Sequence, residues 1–371
     1  METAIDLGLY RVLRDDGTAD PAHDPKIDRE VLLRAYREMR RLRAIDARMI
    51  VLQRQGRVGF YGACTGQEAV PIATGLAVSE KDWVFPALRE QSVMLVRGFP
   101  LHAFVAQVFG NSGDVLKGRQ MPSHHSGRQV NQVSWSSNIG PQIPQAVGTA
   151  MAMKRAPKNG TESGAVSIGF MGNGATSQPD FHTAMMFAAK DKAPCVLVCQ
   201  NNHWSISVPT SRQTSSETIA VKARAYGFPG IRVDGNDLLA VYKVMSDAIA
   251  RARKGDGPTF VEALTYRIGA HSTSDDPTRY RSNDEVEAWK KKDPLDRLRK
   301  HLVVLGAVTD ASDATLDEEQ TKEIQDAVNH VEALPPNDRA TLFEGIYAEM
   351  PWNLRAQRDE LLALAPAPAH P

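Results

Sequence analysis

Apolar residues recur at three-and-four spacing from Asp28 to about Gln55. Val31, Leu32, Tyr36, Met39, Leu42, Ile45, Met49 and Leu52 fall on one face, Arg and Glu stand between them, and Gly56 and Gly59 follow. That period predicts one long amphipathic helix. Residues 1–26 are punctuated by Asp, Pro and Gly and read as an extended arm. Beyond Gly59 short apolar runs alternate with helical periods. Helices are expected at 67–77, 101–109, 144–154, 181–189, 219–226 and 238–253, and strands at 83–86, 165–172, 195–199, 230–233 and 259–267. The strand runs are nearly continuous in apolar residues, which argues a doubly wound, mostly parallel α/β sheet covered on both faces.

Two polar loops, 118–138 and 269–283, interrupt this pattern. After Pro294 only helical periods remain, and a C-terminal helical appendage packed on the sheet domain is expected. The closing ALAPAPAHP is low in complexity and reads as a disordered tail. The expected organisation is an arm and helix over 1–55, an α/β domain over 56–290, a helical region over 291–362 and a tail over 363–371.

Lys plus Arg is 44 and Asp plus Glu is 44. A neutral balance leaves no electrostatic footprint for nucleic acid or an anionic membrane surface. No apolar run approaches the roughly 18 residues of a membrane span. Of the three cysteines, Cys64, Cys195 and Cys199, the last two sit in the apolar run Pro-Cys-Val-Leu-Val-Cys and read as core thiols, which suits a reducing compartment. The N-terminal METAIDLGLYRVLRDDG has no uninterrupted apolar core, and Asp6, Asp15 and Asp16 weigh against a transit peptide. The expectation is a mature cytoplasmic protein.

The most informative stretch is Ile168-Gly-Phe-Met-Gly-Asn-Gly-Ala-Thr-Ser177. A buried strand runs into Gly172-Asn173-Gly174 and then towards a helix, where glycines admit a ligand close to backbone and a helix start favours an anion. An ordinary strand-to-helix turn has the same pattern. A dinucleotide site fits badly, because the third glycine of its fingerprint would fall at Ser177 and the next strand ends in Gln200-Asn201-Asn202 without a ribose-binding acid. A third reading uses that next strand. Asn201-Asn202 follows Gly174 after 26 intervening residues. In a parallel sheet the two loops then lie side by side, and a hard divalent cation could take oxygens from residues 173 and 202, a backbone carbonyl and phosphate.

Here the chain resembles thiamin diphosphate enzymes, whose signature is Gly-Asp-Gly followed some way on by Asn-Asn. Lys117-Gly-Arg-Gln-Met-Pro-Ser-His124, Pro141-Gln-Ile-Pro-Gln-Ala-Val-Gly148, Asn201-Asn-His-Trp-Ser-Ile-Ser-Val-Pro209 and Tyr266-Arg-Ile-Gly-Ala-His-Ser-Thr-Ser-Asp-Asp276 extend the likeness. They are similar to alpha subunits of thiamin-diphosphate-dependent 2-oxo acid dehydrogenases over residues 30–355. The resemblance implies the thiamin diphosphate-binding fold, with Mg²⁺ held by Asn173, Asn202 and the Trp204 carbonyl. It implies that Arg89 contacts the diphosphate, with Gly172, Gly174 and Ala175 alongside. Ser137 and Ile139 would border the aminopyrimidine, Ile139 holding the cofactor bent. Ser136 and Gln142 fall where some members hold K⁺. His271 matches an active-site histidine that serves acyl transfer, Arg267 orders its loop, and His124 borders the substrate channel.

The same resemblance implies oxidative decarboxylation of a 2-oxo acid and acyl transfer to a lipoyl-bearing acyltransferase. The cofactor would lie at the interface with a beta subunit in an α2β2 heterotetramer. Ala270-His-Ser-Thr-Ser-Asp-Asp-Pro-Thr-Arg-Tyr-Arg281 is nearer the branched-chain branch than the pyruvate branch; pyruvate is the runner-up and acetoin comes after it. Three positions depart from the pattern. Asn173 stands for an acid, Leu88 for an aromatic before the diphosphate arginine, and Asn138 for a proline. A degenerate assembly subunit is the non-catalytic alternative. Plainer readings also stand beside the resemblance: 271–276 as a solvated capping loop, His124-His125 as a metal pair, and His182 and His203 as structural neighbours of the cofactor loops.

Overall fold

The computed structural model describes residues 8–156 and 164–365. Its centre is a five-stranded parallel sheet with order β1-β2-β3-β7-β6. The strands are β1 (Trp83–Phe85), β2 (Ser167–Gly172), β3 (Cys195–Asn201), β6 (Gly230–Asp234) and β7 (Thr259–Leu264); β4 (Trp204–Ser205) and β5 (Val208–Pro209) form a separate two-stranded hairpin. The helices are α1 (Arg29–Arg54), α2 (Ala69–Ala77), α3 (Gln91–Val96), α4 (Leu101–Phe109), α5 (Gln142–Arg155), α6 (Pro179–Asp191), α7 (Leu238–Arg253), α8 (Asn283–Lys290), α9 (Pro294–Val304), α10 (Asp310–Glu332) and α11 (Trp352–Ala363).

Both faces of the sheet are covered, and strand alternation sorts the core between them. Val196 and Val198 pack with Ile168, Phe170 and Val261 against α1, α2 and α7. Cys195, Leu197 and Cys199 pack with Met171 and Phe260 against α5 and α6. The two cysteines are fully buried and free, as the apolar run predicts. Gly169 matters on the second face, since a Cβ there would stand 2.9 Å from Ala146 Cβ, so its absence lets α5 lie close on the sheet.

The long N-terminal helix forms as its period requires. Asp28 caps it, its carboxylate accepting the Glu30 N–H at 2.8 Å. The arm before it docks on the sheet edge: Tyr10 N–H donates to the Arg232 carbonyl, and Asp237 accepts the N–H groups of Val12 and Leu13.

Several elements differ from the expectation. Residues 220–226 wind as a 3₁₀ segment ended by Gly227 at φ +81°, not as an α-helix. β7 stops at Leu264, because its two neighbours end opposite it, β3 at Asn201 and β6 at Asp234, and leave no strand to pair beyond. α3 is six residues and wholly buried, too short to show a period. α8 starts inside the stretch expected as loop, with Ser282 Oγ accepting the Glu285 N–H. The C-terminal α10 packs on α1 and α4 through Ile324, Val328 and Val331, which meet Met49, Leu52 and Phe104. Of the expected tail, Ala363 belongs to α11 and residues 366–371 lie outside the described residues.

Candidate functional site

In an open parallel sheet, ligands bind beyond the carboxyl ends of the strands. Four neighbouring strands here release their chains at that edge. The register Gly172↔Gln200 sets Asn173, just past β2, beside Asn201-Asn202 at the end of β3. The pairings Phe85↔Gly169 and Asn201↔Leu264 bring the segments after β1 and β7 to the same edge, and these carry Arg89 and His271. The result is a cleft of about 330 Å³. Arg89, Ser136, Ser137, Ile139, Gln142, Gly172, Asn173, Gly174, Ala175, Asn202, Trp204 and His271 all line it. The structure therefore brings together every residue the resemblance singled out as catalytic, cofactor-binding or metal-ligating.

At the β2–β3 end the side-chain amides are oriented by their neighbours. Asn173 Nδ2 donates to Thr210 Oγ1 at 3.0 Å and Gln213 Oε1 at 3.2 Å. Asn202 Nδ2 donates to Gln67 Oε1 at 2.9 Å. With both nitrogens engaged, the side-chain oxygens face the cleft side; Asn202 Oδ1 also accepts the Trp204 N–H at 3.2 Å, which leaves it a second lone pair for a cation. Gln67 Nε2 and Gln200 Oε1 are buried without a partner among the described residues, and both residues line the cleft. A buried donor and acceptor without partners cost stability unless a bound group satisfies them. No group of three His, Cys, Asp or Glu residues is placed to hold a metal among the described residues. The donor set is therefore amide and backbone oxygen, which suits a hard cation that brings phosphate oxygens with it. These residues fit a metal diphosphate, though without a charged ligand at position 173.

Gly174 admits no side chain, because a Cβ would overlap Ser205 Oγ and stand 2.8 Å from Ser205 Cβ, next to Trp204. At Gly172 a Cβ would meet nothing within 4 Å.

Arg89 is 5% exposed. Its guanidinium donates to the carbonyls of Ala63 and of His271, the latter at 2.7 Å. Burial lowers its pKa from the ordinary arginine value. A buried guanidinium held by carbonyls and lining a cleft is arranged for an anion. Next to it, burial pushes the Glu90 carboxyl up to about 7, against the hydrogen bonds from Gln200 and backbone.

The loop carrying His271 is anchored from β7 and the 3₁₀ turn 277–279. Arg267 donates to Tyr280 Oη at 2.7 Å, Tyr280 donates to Asp275 at 2.5 Å, and Asp275 accepts the His271 N–H at 2.7 Å. Arg281 holds the carbonyls of Ile268 and Gly269 at 2.6 and 2.8 Å. A solvated capping loop would lack such ties. Burial, with Arg89 and Arg267 adding to it, lowers the His271 imidazole pKa to about 4. It is neutral at pH 7, with one ring nitrogen as donor and the other as acceptor. Arg267 does order this loop; Asp275, Tyr280 and Arg281 share the task, and sequence reasoning did not assign it to them.

His124 does not itself line the cleft; it stands behind two residues that do, its Nε2 meeting Ser137 Oγ at 2.5 Å and its ring lying 3.9 Å from that of Trp135. His125 turns the other way and stacks on Phe104 at 4.0 Å, so the adjacent histidines are not a metal pair. Ile139 is 56% exposed within the cleft. Gln142 Nε2 donates to the Phe170 carbonyl at 3.0 Å, and Ser136 Oγ accepts the Asn138 N–H at 3.2 Å. Leu88 lines the cleft without a polar atom to offer. His182 bonds the Tyr226 hydroxyl, and His203 packs with Trp289 and Tyr266. Neither lines the cleft.

The model of the family described as Dehydrogenase E1 component matches residues 36–339. The chain is 41% identical over 364 residues to the 2-oxoisovalerate dehydrogenase subunit alpha 2, mitochondrial, of Arabidopsis thaliana, covering 98% of this chain and 76% of that one. It is 41% identical over 356 residues to the 2-oxoisovalerate dehydrogenase subunit alpha, mitochondrial, of Bos taurus, covering 95% and 77%. It is 41% identical over 375 residues to the 3-methyl-2-oxobutanoate dehydrogenase subunit alpha of Mycobacterium tuberculosis, covering 98% and 96%.

Proposed function

Because the chain belongs to the dehydrogenase E1 component family, we propose that it is the alpha subunit of a branched-chain 2-oxo acid dehydrogenase that uses thiamin diphosphate and Mg²⁺. The observation that carries this reading is the convergence of Arg89, Asn173, Asn202 and His271 in one cleft from the ends of four adjacent strands. The relatives' names, 2-oxoisovalerate and 3-methyl-2-oxobutanoate dehydrogenase, support the branched-chain substrate class.

Bound thiamin diphosphate supplies the carbanion chemistry that breaks the bond to the carboxylate. The chain's own residues bind and orient. Arg89 neutralises diphosphate charge in a buried setting, where a guanidinium fork gains most from an anion. Asn173, Asn202 and the Trp204 carbonyl offer oxygens to Mg²⁺. Ser136 and Gln142 offer oxygens to K⁺. Ile139 and Ala175 give apolar walls, and Ser137 borders the substrate side with His124 bonded behind it. His271, neutral and anchored through its loop, would serve acyl transfer to a lipoyl-bearing acyltransferase by hydrogen-bonding the reacting groups.

A beta subunit would complete the site in an α2β2 assembly. The name "subunit alpha" in the relatives supports a partner. So do the exposed apolar side chains at the cleft, Met121 (49%), Ile139 (56%) and Ile206 (53%). Contiguous exposed apolar surface beside a cleft marks a contact site. The neutral Asn173 and the apolar Leu88 favour a second reading, an assembly subunit that binds cofactor poorly.

The test is decarboxylation of a 2-oxo acid panel by the co-expressed alpha–beta complex, followed with an artificial electron acceptor, alongside calorimetry of thiamin diphosphate with Mg²⁺. Branched-chain substrates should exceed pyruvate, and the alpha chain alone should be inactive. A complex that assembles yet binds no cofactor would establish the second reading.

A further inference from the structure

Residues 60–66 run between α1 and α2 as a strap whose backbone joins three parts of the site. The Phe60 carbonyl accepts from Ser123 Oγ at 3.2 Å, next to His124. Tyr61 pairs with Thr273 in both directions: its N–H donates to Thr273 Oγ1 at 3.3 Å, and its carbonyl accepts the Thr273 N–H at 3.2 Å. The Ala63 carbonyl accepts from the Arg89 guanidinium, and Cys64 Sγ donates to the Arg89 carbonyl at 3.3 Å. The Thr65 carbonyl accepts the Ile268 N–H at 3.4 Å.

One side chain fixes this strap to the long helix. Asp46 lies on the apolar face of α1, between Ile45 and Met49, and is 1% exposed. Asp46 Oδ1 accepts the Tyr61 hydroxyl at 2.8 Å, and Oδ2 accepts the Cys64 N–H at 2.6 Å. It does not line the cleft. The two contacts bracket Ala63, whose carbonyl holds Arg89. A core acid that merely satisfied itself would not need to grip the strap on both sides of the residue that holds Arg89.

We propose that Asp46 is a positioning residue for cofactor binding, fixing the 60–66 strap so that Ala63 sets the Arg89 guanidinium and Tyr61 sets the His271 loop through Thr273. This rests on the reading of Arg89 as the diphosphate contact. An amide can replace the carboxylate, since its oxygen accepts the Cys64 N–H while its NH₂ donates to the Tyr61 hydroxyl. A leucine can do neither.

The experiment uses the full-length chain co-expressed with its beta subunit, with the affinity for thiamin diphosphate in Mg²⁺ read by calorimetry on the folded complex. Asp46→Leu should weaken binding about tenfold, and Asp46→Asn should stay within about threefold of the wild type. In an Arg89→Ala background, Asp46→Leu should add less than about twofold, because coupled residues are non-additive. A merely structural role would lower the unfolding midpoint and the folded yield without changing the affinity of what folds. Wild-type affinity in Asp46→Leu overturns the proposal, as does the same loss with and without Arg89. If Asp46→Leu does not assemble, Tyr61→Phe serves instead; it removes one of the two contacts, and a loss of about threefold that vanishes without Arg89 is expected. No loss, or an additive one, overturns the role. A wild-type complex that binds no cofactor overturns the reading of the cleft, and this role with it.

Discussion

Asn202 and Gln67 are joined through their amides: Asn202 Nδ2 donates to Gln67 Oε1 at 2.9 Å, and both residues line the cleft. This contact and the Trp204 N–H, which Asn202 Oδ1 accepts at 3.2 Å, together set which amide atom of Asn202 faces a ligand, because a free amide presents nitrogen as readily as oxygen. Gln67→Leu removes the one of these two contacts that holds the amide nitrogen. Outer partners of metal ligands affect metal affinity by roughly 10–100-fold. Titration of Mg²⁺ against cofactor binding should show a rise in the half-saturating Mg²⁺ concentration, with little change in the unfolding midpoint of the cofactor-free complex. An unchanged Mg²⁺ requirement would separate Gln67 from the metal.

Asn173→Asp should strengthen Mg²⁺-dependent cofactor binding about tenfold, since a charged oxygen ligand exceeds a neutral one by roughly 1–2 kcal/mol. The structure adds an opposing effect. The Asn173 NH₂ serves two acceptors, Thr210 Oγ1 and Gln213 Oε1, and a carboxylate would leave an oxygen facing them. The cofactor-free variant should therefore melt lower than the wild type, and the variant loaded with Mg²⁺ and cofactor should recover or exceed it. Calorimetry showing equal or weaker affinity would mean a metal site built for a neutral ligand.

His271→Ala should impair acyl transfer more than decarboxylation. The imidazole pKa is lowered to about 4 by burial first, then by Arg89 and Arg267, so the ring is neutral across the working pH range and can offer a ring N–H and a ring lone pair as hydrogen-bond partners. An artificial electron acceptor reports decarboxylation, and a lipoyl domain reports transfer. Equal losses in the two assays would remove the assigned role.

His125 should make the fold acid-sensitive. It is 4% exposed and stacked on Phe104, and burial lowers its pKa to about 3. In the unfolded chain its pKa lies near 6.5. Between those values the unfolded state holds a proton that the folded state does not, so stability present above pH 6.5 is lost as pH falls towards 3. At pH 5 the deficit is about 2 kcal/mol from this one group. His125→Phe should keep the stack and flatten the decline of the unfolding midpoint between pH 7 and pH 5. A variant that loses as much as the wild type would place the acid-sensitive group elsewhere.

Much of this was legible in the sequence, for reasons that are local. The period from Val31 to Leu52 specifies α1 because a helix repeats every 3.6 residues, and the apolar run at Cys195 specifies β3 because both its faces are buried. Asn173 and Asn202 could be paired from the chain alone, since parallel strands present their carboxyl ends at one edge. Short or irregular pieces escaped. α3 is buried on all sides and six residues long, so it has no polar face to reveal it, and residues 220–226 became 3₁₀ with nothing in their spacing to distinguish the two windings.

What only the tertiary structure decided are the contacts between residues far apart in sequence. Gln67 lies 135 positions from Asn202, and no periodicity links them; the sheet brings α2's start against the end of β3. The same holds for Asp46, which the sequence shows as one polar residue on an apolar helical face. Its partners Tyr61 and Cys64 become visible once the strap folds back along α1. The sequence determined which residue types stand at the ends of the strands, because that follows from local pattern and from motif. The orientation of each amide, the neutrality of His271 and the carbonyl grip on Arg89 depend on burial and on neighbours, and those are properties of the packed chain.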